Sequence, residues 1–262
     1  MKISCIQFNM KAAAPDINFM LIKEKIEQTA KEEKPDCIVL PETWNTGFFP
    51  RENLRELSDK DCGRTKAEIG ALAKKLSVNI VAGSVSNLRD GKIYNSCCVF
   101  NRQGENIAVY DKTHLFTPMG EHEYFTAGGR LCRFQLDGKN CAVIICYDIR
   151  FPELSRTLAL GGLDILFIVS QWPQQRIPHL TALVKARAIE NQLFTVCCNS
   201  CGEMNGTVYG GASAICKPQG ELLCLAGETE QIVSAECDLG ILQDIRNSIN
   251  VFSDRRPELY KL

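Results

Sequence analysis

Ala142-Val143-Ile144-Ile145-Cys146-Tyr147-Asp148-Ile149-Arg150-Phe151-Pro152-Glu153-Leu154 runs from an apolar strand, through a cysteine, into a charged turn and a proline suited to a first helical turn. A continuous apolar run of that kind predicts a strand covered on both faces, the habit of a parallel sheet flanked by helices. The surrounding sequence repeats the pattern. Residues 131–135 and 141–146 flank the turn Asp137-Gly138-Lys139; a helix is predicted over about 152–160, a strand over Ile165–Val169, a helix over 180–192 and a strand over 193–198.

Upstream, predicted strands at 3–8, 37–40 and 79–85 alternate with predicted helices at 17–34 and 66–76, the order of βαβ crossovers. Residues 92–101 and 107–110 read as a hairpin across Arg102-Gln103-Gly104-Glu105. A second hairpin joins 212–217 to 221–224, and 232–237 forms a last strand before a short helix and tail. No Ser/Gly-rich linker or shift in composition divides the chain, so one domain over residues 1–262 is expected. The similar order of elements in the two halves points to two stacked mixed sheets between helix layers, although no side-chain motif repeats.

Of the 262 residues 45% are hydrophobic and 23% charged, and 30 Lys+Arg against 31 Asp+Glu leave a formal charge of −1. That length supports a sizeable core, and the balance argues against partners held by bulk electrostatics, whether nucleic acid or a membrane surface. A small molecule is the expected partner. No apolar run reaches the roughly eighteen residues of a spanning helix, and Met1-Lys2-Ile3-Ser4 leads into strand-like sequence, so a cytoplasmic location is expected. The 14 cysteines then read as reduced thiols, with Cys5, Cys37, Cys97, Cys98, Cys141, Cys197, Cys198, Cys216 and Cys237 as small core hydrophobes. Cys198-Asn199-Ser200-Cys201 has CxxC spacing but no second pair to complete a tetrahedral site, so neither a metal nor a cofactor is expected.

Three places depart from a packing-only sequence, and each follows a strand, where ligands bind in open α/β folds. Ile38-Val39-Leu40-Pro41-Glu42 sets a carboxylate after an apolar run; alone it reads as a turn residue, but in a desolvated pocket its pKa would rise and let it shuttle protons. In Tyr110-Asp111-Lys112-Thr113-His114, Lys112 and His114 are expected on one face of an extended segment, where a buried lysine could stabilise a thiolate or an oxyanion. Cys146 enters a strand-to-helix turn whose free N–H groups are expected to depress its pKa. Its base is left open by these residues alone: a histidine among His114, His122 and His179, or a Glu/Lys pair that takes the thiol proton and returns it to a leaving amine. Gly211-Ala212-Ser213-Ala214-Ile215 departs from the serine-hydrolase elbow, and no phosphate loop or dinucleotide fingerprint is present.

Taken together, Leu40-Pro41-Glu42, Tyr110-Asp111-Lys112-Thr113-His114-Leu115 and the segment from Ile145 to Leu154 resemble the Glu–Lys–Cys signature of the nitrilase superfamily, the carbon–nitrogen hydrolases, in order and separation. The resemblance covers essentially the whole chain. It implies a four-layer α-β-β-α sandwich, usually paired into homodimers that extend the layers. It further implies Cys146 as nucleophile, Glu42 as general base and Lys112 as oxyanion stabiliser beside the backbone N–H of Tyr147. Glu121 matches the spacing of the family's second glutamate, with Glu123 a nearer candidate.

Ser170-Gln171-Trp172-Pro173 with Arg176, His179 and the segment Lys185 to Gln192 is similar to the ω-amidase branch, which hydrolyses the terminal amide of 2-oxoglutaramate or 2-oxosuccinamate. His179-Leu180 replaces the histidine-tryptophan of many relatives. Arg176 is the expected partner of a substrate carboxylate, as arginine offers a bidentate fork, and Trp172 the expected pocket wall. Phe116 and Tyr124 could also wall a pocket but read first as core aromatics, and Arg187 and Glu190, three apart on one helix, as a pair with each other or with loops. The other readings are an N-carbamoyl-amino-acid amidohydrolase or short aliphatic amidase, a non-catalytic binding protein on the same fold, and a cysteine-rich redox or zinc protein.

Overall fold

A computed structural model describes residues 1–48 and 50–260, so residues 49, 261 and 262 of the expected domain lie outside the described set. The first half consists of β1 (Lys2–Gln7), α1 (Pro15–Glu33), β2 (Cys37–Val39), α2 (Leu54–Leu57), β3 (Asp59–Lys60), α3 (Gly63–Leu76), β4 (Asn79–Val81), β5 (Val85–Arg89), β6 (Lys92–Phe100) and β7 (Asn106–Asp111). The second half begins with β8 (Arg133–Leu136), β9 (Lys139–Ile145), α4 (Pro152–Ala159), β10 (Ile165–Val169), α5 (Ile177–Asn191) and β11 (Phe194–Cys198). It continues through β12 (Cys201–Met204), β13 (Thr207–Gly210), β14 (Ala214–Cys216), β15 (Leu222–Leu225), β16 (Gln231–Glu236) and α6 (Ile241–Ser248).

One sheet has the order β16-β1-β2-β4-β6-β5-β3, with β7 also paired to β6; the other has the order β15-β14-β11-β10-β9-β8. The central strands β1, β2 and β4 run parallel, as do β9, β10 and β11. Alternation along single strands explains how the sheets stack. Cys37 and Val39 of β2, with Cys97 and Val99 of β6, belong to the apolar cluster that holds β9, β10 and β11, whereas Ile38, Leu40, Cys98 and Phe100 belong to the cluster of Phe19, Ile22 and Ile26 of α1 and Ile69 and Leu72 of α3. On the far side Leu154, Leu158, Leu180, Val184 and Ala188 bring α4 and α5 onto the second sheet. The expected α-β-β-α sandwich is the fold observed. Its buried Leu, Ile, Val and Phe side chains each stabilise it by about 1.5–3 kcal/mol.

The expected strand over 79–85 is two strands. β4 stops at Val81 and β5 starts at Val85 because Gly83 turns the chain at φ 58°, where a Cβ would lie 2.0 Å from the Pro41 carbonyl oxygen. The helix expected from 180 begins at Ile177, with Pro178 in its first turn, and the two-stranded β12–β13 sheet was not foreseen. All fourteen cysteines are free thiols. Cys198 directs its thiol to the carbonyls of Ile6 and Val39 in the opposite sheet, so the CxxC spacing reflects strand packing. Arg187 pairs with Glu190 at 2.8 Å, as its helical spacing implied, and also donates from Nε to the Ile149 carbonyl at 2.9 Å.

Candidate active site

Glu42 is set just beyond β2 by contacts on both sides. Ser84 donates its N–H to the Pro41 carbonyl at 3.1 Å, and its hydroxyl accepts the Thr43 N–H at 2.9 Å. From the other sheet the Ser170 carbonyl accepts the Glu42 N–H at 3.2 Å, and the Gln171 N–H donates to Glu42 Oε2 at 2.9 Å. Thr43 itself is held at φ 43°, a left-handed conformation that β-branched residues rarely adopt. Strain at this position is the local cost of turning the preceding carboxylate inward.

Lys112 follows β7 and is fully buried. Its ammonium lies 2.9 Å from Glu42 Oε1, 3.0 Å from Glu121 Oε1 and 2.8 Å from Glu121 Oε2. Asn95 on β6 donates through Nδ2 to Glu42 Oε1 at 2.9 Å and to Glu121 Oε1 at 3.2 Å, and the Phe116 N–H donates to Glu121 Oε2 at 2.6 Å. Of the two expected candidates, Glu121 is in the buried cluster while Glu123 is exposed.

Cys146 follows β9 and opens a 3-10 turn, Cys146–Arg150, at φ 49°. Its thiol lies beside the Glu42 carboxylate, close enough for each to shift the other. Burial and the neighbouring Glu42 carboxylate push the thiol pKa well up, against the smaller opposite pull of Lys112, so the expected depression is reversed. Burial likewise raises Glu42, partly countered by Lys112, which agrees with the raised carboxylate pKa anticipated for a desolvated pocket. For Lys112 burial alone would lower the pKa, but Glu121 and Glu42 outweigh it and hold the group well above its ordinary value. The cluster is therefore a thiol, a base that resists ionisation and a permanent cation. It can move a proton from sulfur to carboxylate while the cation faces a developing oxyanion.

A buried carboxylate fixes the turn that carries the thiol. Asp148 accepts the Ile145 N–H at 3.0 Å and the Tyr110 hydroxyl at 2.7 Å on Oδ2, and the His114 N–H at 2.9 Å and ring Nδ1 at 2.8 Å on Oδ1. Since Tyr110 and His114 flank Lys112, Asp148 ties the turn of Cys146 to the strand end bearing the cation. His114 and Lys112 thus do not share a face: β7 ends at Asp111, Lys112 turns to the two glutamates, and the His114 ring stacks on Phe151 with centroids 3.7 Å apart. The base in reach of Cys146 is Glu42, not a histidine.

A cavity opens onto the thiol, and Cys146, Lys112, Tyr147, Trp172 and Arg176 all line it. Phe116 is a wall residue rather than the core aromatic expected, while Tyr124 does not line the cavity. The sequence reading missed Asn95, Arg150, Phe48, Met119 and Tyr209. Arg150 was legible in the quoted turn; the others come from separate strands and loops that the fold alone gathers. The Arg150 guanidinium lies 4.9 Å from the Trp172 ring and 3.3 Å from His179 Nδ1; that of Arg176 lies 5.4 Å from the Phe116 ring. Neither forms an ion pair with a described carboxylate, so two cations face an otherwise aromatic wall. Trp172 donates through Nε1 to the Arg176 carbonyl at 2.8 Å and thereby fixes this wall.

Residues 2–247 match the family described as Carbon-nitrogen hydrolase. The chain is 41% identical over 258 residues to the 2-oxoglutaramate amidase of Bacillus subtilis (strain 168), covering 98% of each chain. It is 32% identical over 255 residues to the omega-amidase NIT2 of Danio rerio, covering 92% of this chain and 88% of that one. The crystal structure of Saccharomyces cerevisiae Nit3, a member of branch 10 of the nitrilase superfamily, superposes with a TM-score of 0.91 at 26% identity, covering 98% of this chain and 96% of that chain.

Proposed function

The chain belongs to the carbon–nitrogen hydrolase family and hydrolyses amides, and from that premise we propose that it is an ω-amidase acting on the terminal amide of 2-oxoglutaramate or 2-oxosuccinamate through a Cys146 thioester. The observation that carries this reading is the Lys112 ammonium within 3.0 Å of both Glu42 and Glu121, with the Cys146 thiol beside Glu42 at the foot of a cavity bearing two guanidinium groups that pair with no described carboxylate.

Glu42 takes the thiol proton as Cys146 sulfur attacks the amide carbon. The carbonyl oxygen becomes an oxyanion bound by Lys112 Nζ and the backbone N–H of Tyr147, second in a turn whose first N–H groups have no partner within it. Collapse breaks the C–N bond, and Glu42 gives its proton to the departing nitrogen so that ammonia leaves. Water then attacks the thioester with Glu42 as base; the acid is released and the proton returns to sulfur. Glu121 holds Lys112 in place and keeps it charged. Arg150 and Arg176 take the substrate's distal carboxylate, and Trp172 and Phe116 enclose its carbon chain. No step calls for a metal or a cofactor.

The fourteen free thiols support a reducing compartment such as the cytoplasm, and no described helix is long and apolar enough to cross a membrane. A homodimer is supported by exposed Leu160, Ile189 and Ile249 on or beside the helices that cover the second sheet. The deciding assay is ammonia release from 2-oxoglutaramate, with glutamine, N-carbamoyl-alanine and a short aliphatic amide in parallel and Cys146→Ala as control. Selective release from the oxo-amide, lost in the control, is expected. Preference for another amide would overturn the substrate but not the chemistry.

A further inference from the structure

Tyr209 belongs to β13 and is 4% exposed, yet it lines the cavity that contains the Cys146 thiol. Its hydroxyl makes no hydrogen bond with any described residue. Two of the cavity's other polar side chains are already engaged. Lys112 is held by two glutamates, and the Gln171 amide accepts from Thr43 Oγ1 at 2.9 Å and donates to Met10 Sδ at 3.4 Å. The guanidinium groups of Arg150 and Arg176 lie over Trp172 and Phe116. The ring is buried while the hydroxyl is left to the cavity, where a ligand acceptor can take its hydrogen bond.

The backbone holds Tyr209 in fixed relation to the wall that carries those cations. Tyr209 forms an isolated antiparallel bridge with Pro173, and the Gly210 N–H donates to the Trp172 carbonyl at 3.2 Å. Gly210 permits this approach: a Cβ there would stand 2.4 Å from Ile177 Cγ1 and 2.7 Å from Gln174 Cα. Burial, then the charges of Glu42 and Cys146, push the phenol upward, so it stays protonated and close to the reacting centre.

We propose that the Tyr209 hydroxyl donates a hydrogen bond to an acceptor on the carbon chain between the scissile amide and the distal carboxylate, the oxygen of a 2-oxo group, and thereby sets substrate specificity. The oxyanion already has its donors in Lys112 and the Tyr147 N–H, so the phenol is free for this second oxygen. An ammonium in place of the oxo group would bring a third positive charge beside Arg150 and Arg176, which disfavours glutamine. This inference rests on the ω-amidase reading and names the group that distinguishes its substrate from a plain monoamide.

The test compares kcat/KM for 2-oxoglutaramate and for glutaramate, which has the same chain, amide and carboxylate but no oxo group, in the wild type and in Tyr209→Phe. We expect the wild type to favour the oxo-amide at least tenfold and the variant to lose about tenfold of that ratio, the scale of one neutral hydrogen bond. Tm should be unchanged or higher in the variant, because only an unpartnered hydroxyl is removed. An unaltered ratio in Tyr209→Phe would overturn the Tyr209 role and leave the ω-amidase reading standing. A wild type with no preference for the oxo-amide would overturn both. Should Tyr209→Phe fail to fold, the hydroxyl has a structural role and the inference falls; wild-type inhibition by 2-oxoglutarate against glutarate would still judge the ω-amidase reading.

Discussion

Lys112 and Glu121 are joined by a two-pronged contact, Nζ standing 3.0 Å from Oε1 and 2.8 Å from Oε2, with both groups buried. Each carboxylate oxygen serves a second donor as well, Asn95 Nδ2 on Oε1 and the Phe116 N–H on Oε2. An amide at this position would turn an NH2 group against a donor in either orientation. Glu121→Gln should therefore loosen the oxyanion donor, and we expect kcat to fall by about 10²–10³, the worth of one such donor. Steady-state kinetics with circular dichroism checks this; a folded variant within tenfold of wild-type kcat would contradict the positioning role.

The pH dependence follows from the two raised groups. A Glu42 carboxyl raised by burial is protonated at pH values where an ordinary glutamate is ionised, and only its ionised form can accept the thiol proton. The acid limb of kcat/KM should accordingly lie above the ordinary carboxylate range, with activity lost as pH falls through it. Because Cys146 remains a thiol near neutrality, its alkylation by iodoacetamide also needs the base. Glu42→Gln should slow inactivation by about 10²-fold or more. A rate unchanged in Glu42→Gln would show that the thiol ionises unaided.

Asp148 accepts four hydrogen bonds on two oxygens, none of which an amide nitrogen can accept. Asp148→Asn should cost about 3 kcal/mol, the penalty for buried donors left unsatisfied, and lower Tm by roughly 6–12 °C for a chain of this size. Catalysis should fall further than stability explains, since the carboxylate joins the Cys146 turn to the strand end of Lys112. Melting curves and kcat measured well below Tm separate the two effects; wild-type kcat at low temperature would reduce Asp148 to a stability role.

Much of this was legible in the sequence for a definite reason. Strands 37–40 and 141–146 are apolar without interruption, so their ends, and the Glu42 and Cys146 that follow, stand out from periodicity alone. The split of residues 79–85 was hidden because Gly83 sits in an otherwise strand-like run, and its backbone contact with Pro41 is a tertiary matter. Lys112 could be flagged but not oriented, since what turns it from His114 is the chain's departure from β7 under the pull of Asp148. The reversed Cys146 shift was beyond local reading for the same reason. The turn N–H groups are local, whereas the burial and the Glu42 charge that outweigh them come from the opposite sheet.

Gly83 makes a direct test of how the base is placed. A Cβ there would meet the Pro41 carbonyl oxygen at 2.0 Å, and φ 58° is unfavourable for any other residue, so the strand-to-loop segment carrying Glu42 would have to move. Displacement of about 1 Å at a reacting group costs on the order of 10²-fold in rate. Gly83→Ala should show that loss at kcat with Cys146 still present as a free thiol by titration; near-normal kcat would mean the loop can shift without moving Glu42.

Arg150 and Arg176 differ in what surrounds them, and that difference predicts different effects of a lysine at each. Arg176 lies over Phe116 with its carbonyl bound by Trp172, so Arg176→Lys keeps the wall and loses chiefly the planar fork that pairs with a carboxylate. KM for a dicarboxylate monoamide should rise about tenfold or more, and that for an uncharged short amide by much less. Arg150 instead lies over Trp172 and contacts His179, so Arg150→Lys also removes part of the support for the aromatic wall and should raise KM for both substrates. Parallel KM measurements on the two amides decide it. Equal effects of Arg176→Lys on both would remove that residue from carboxylate recognition, and a charge-selective effect confined to Arg150→Lys would transfer the role to Arg150.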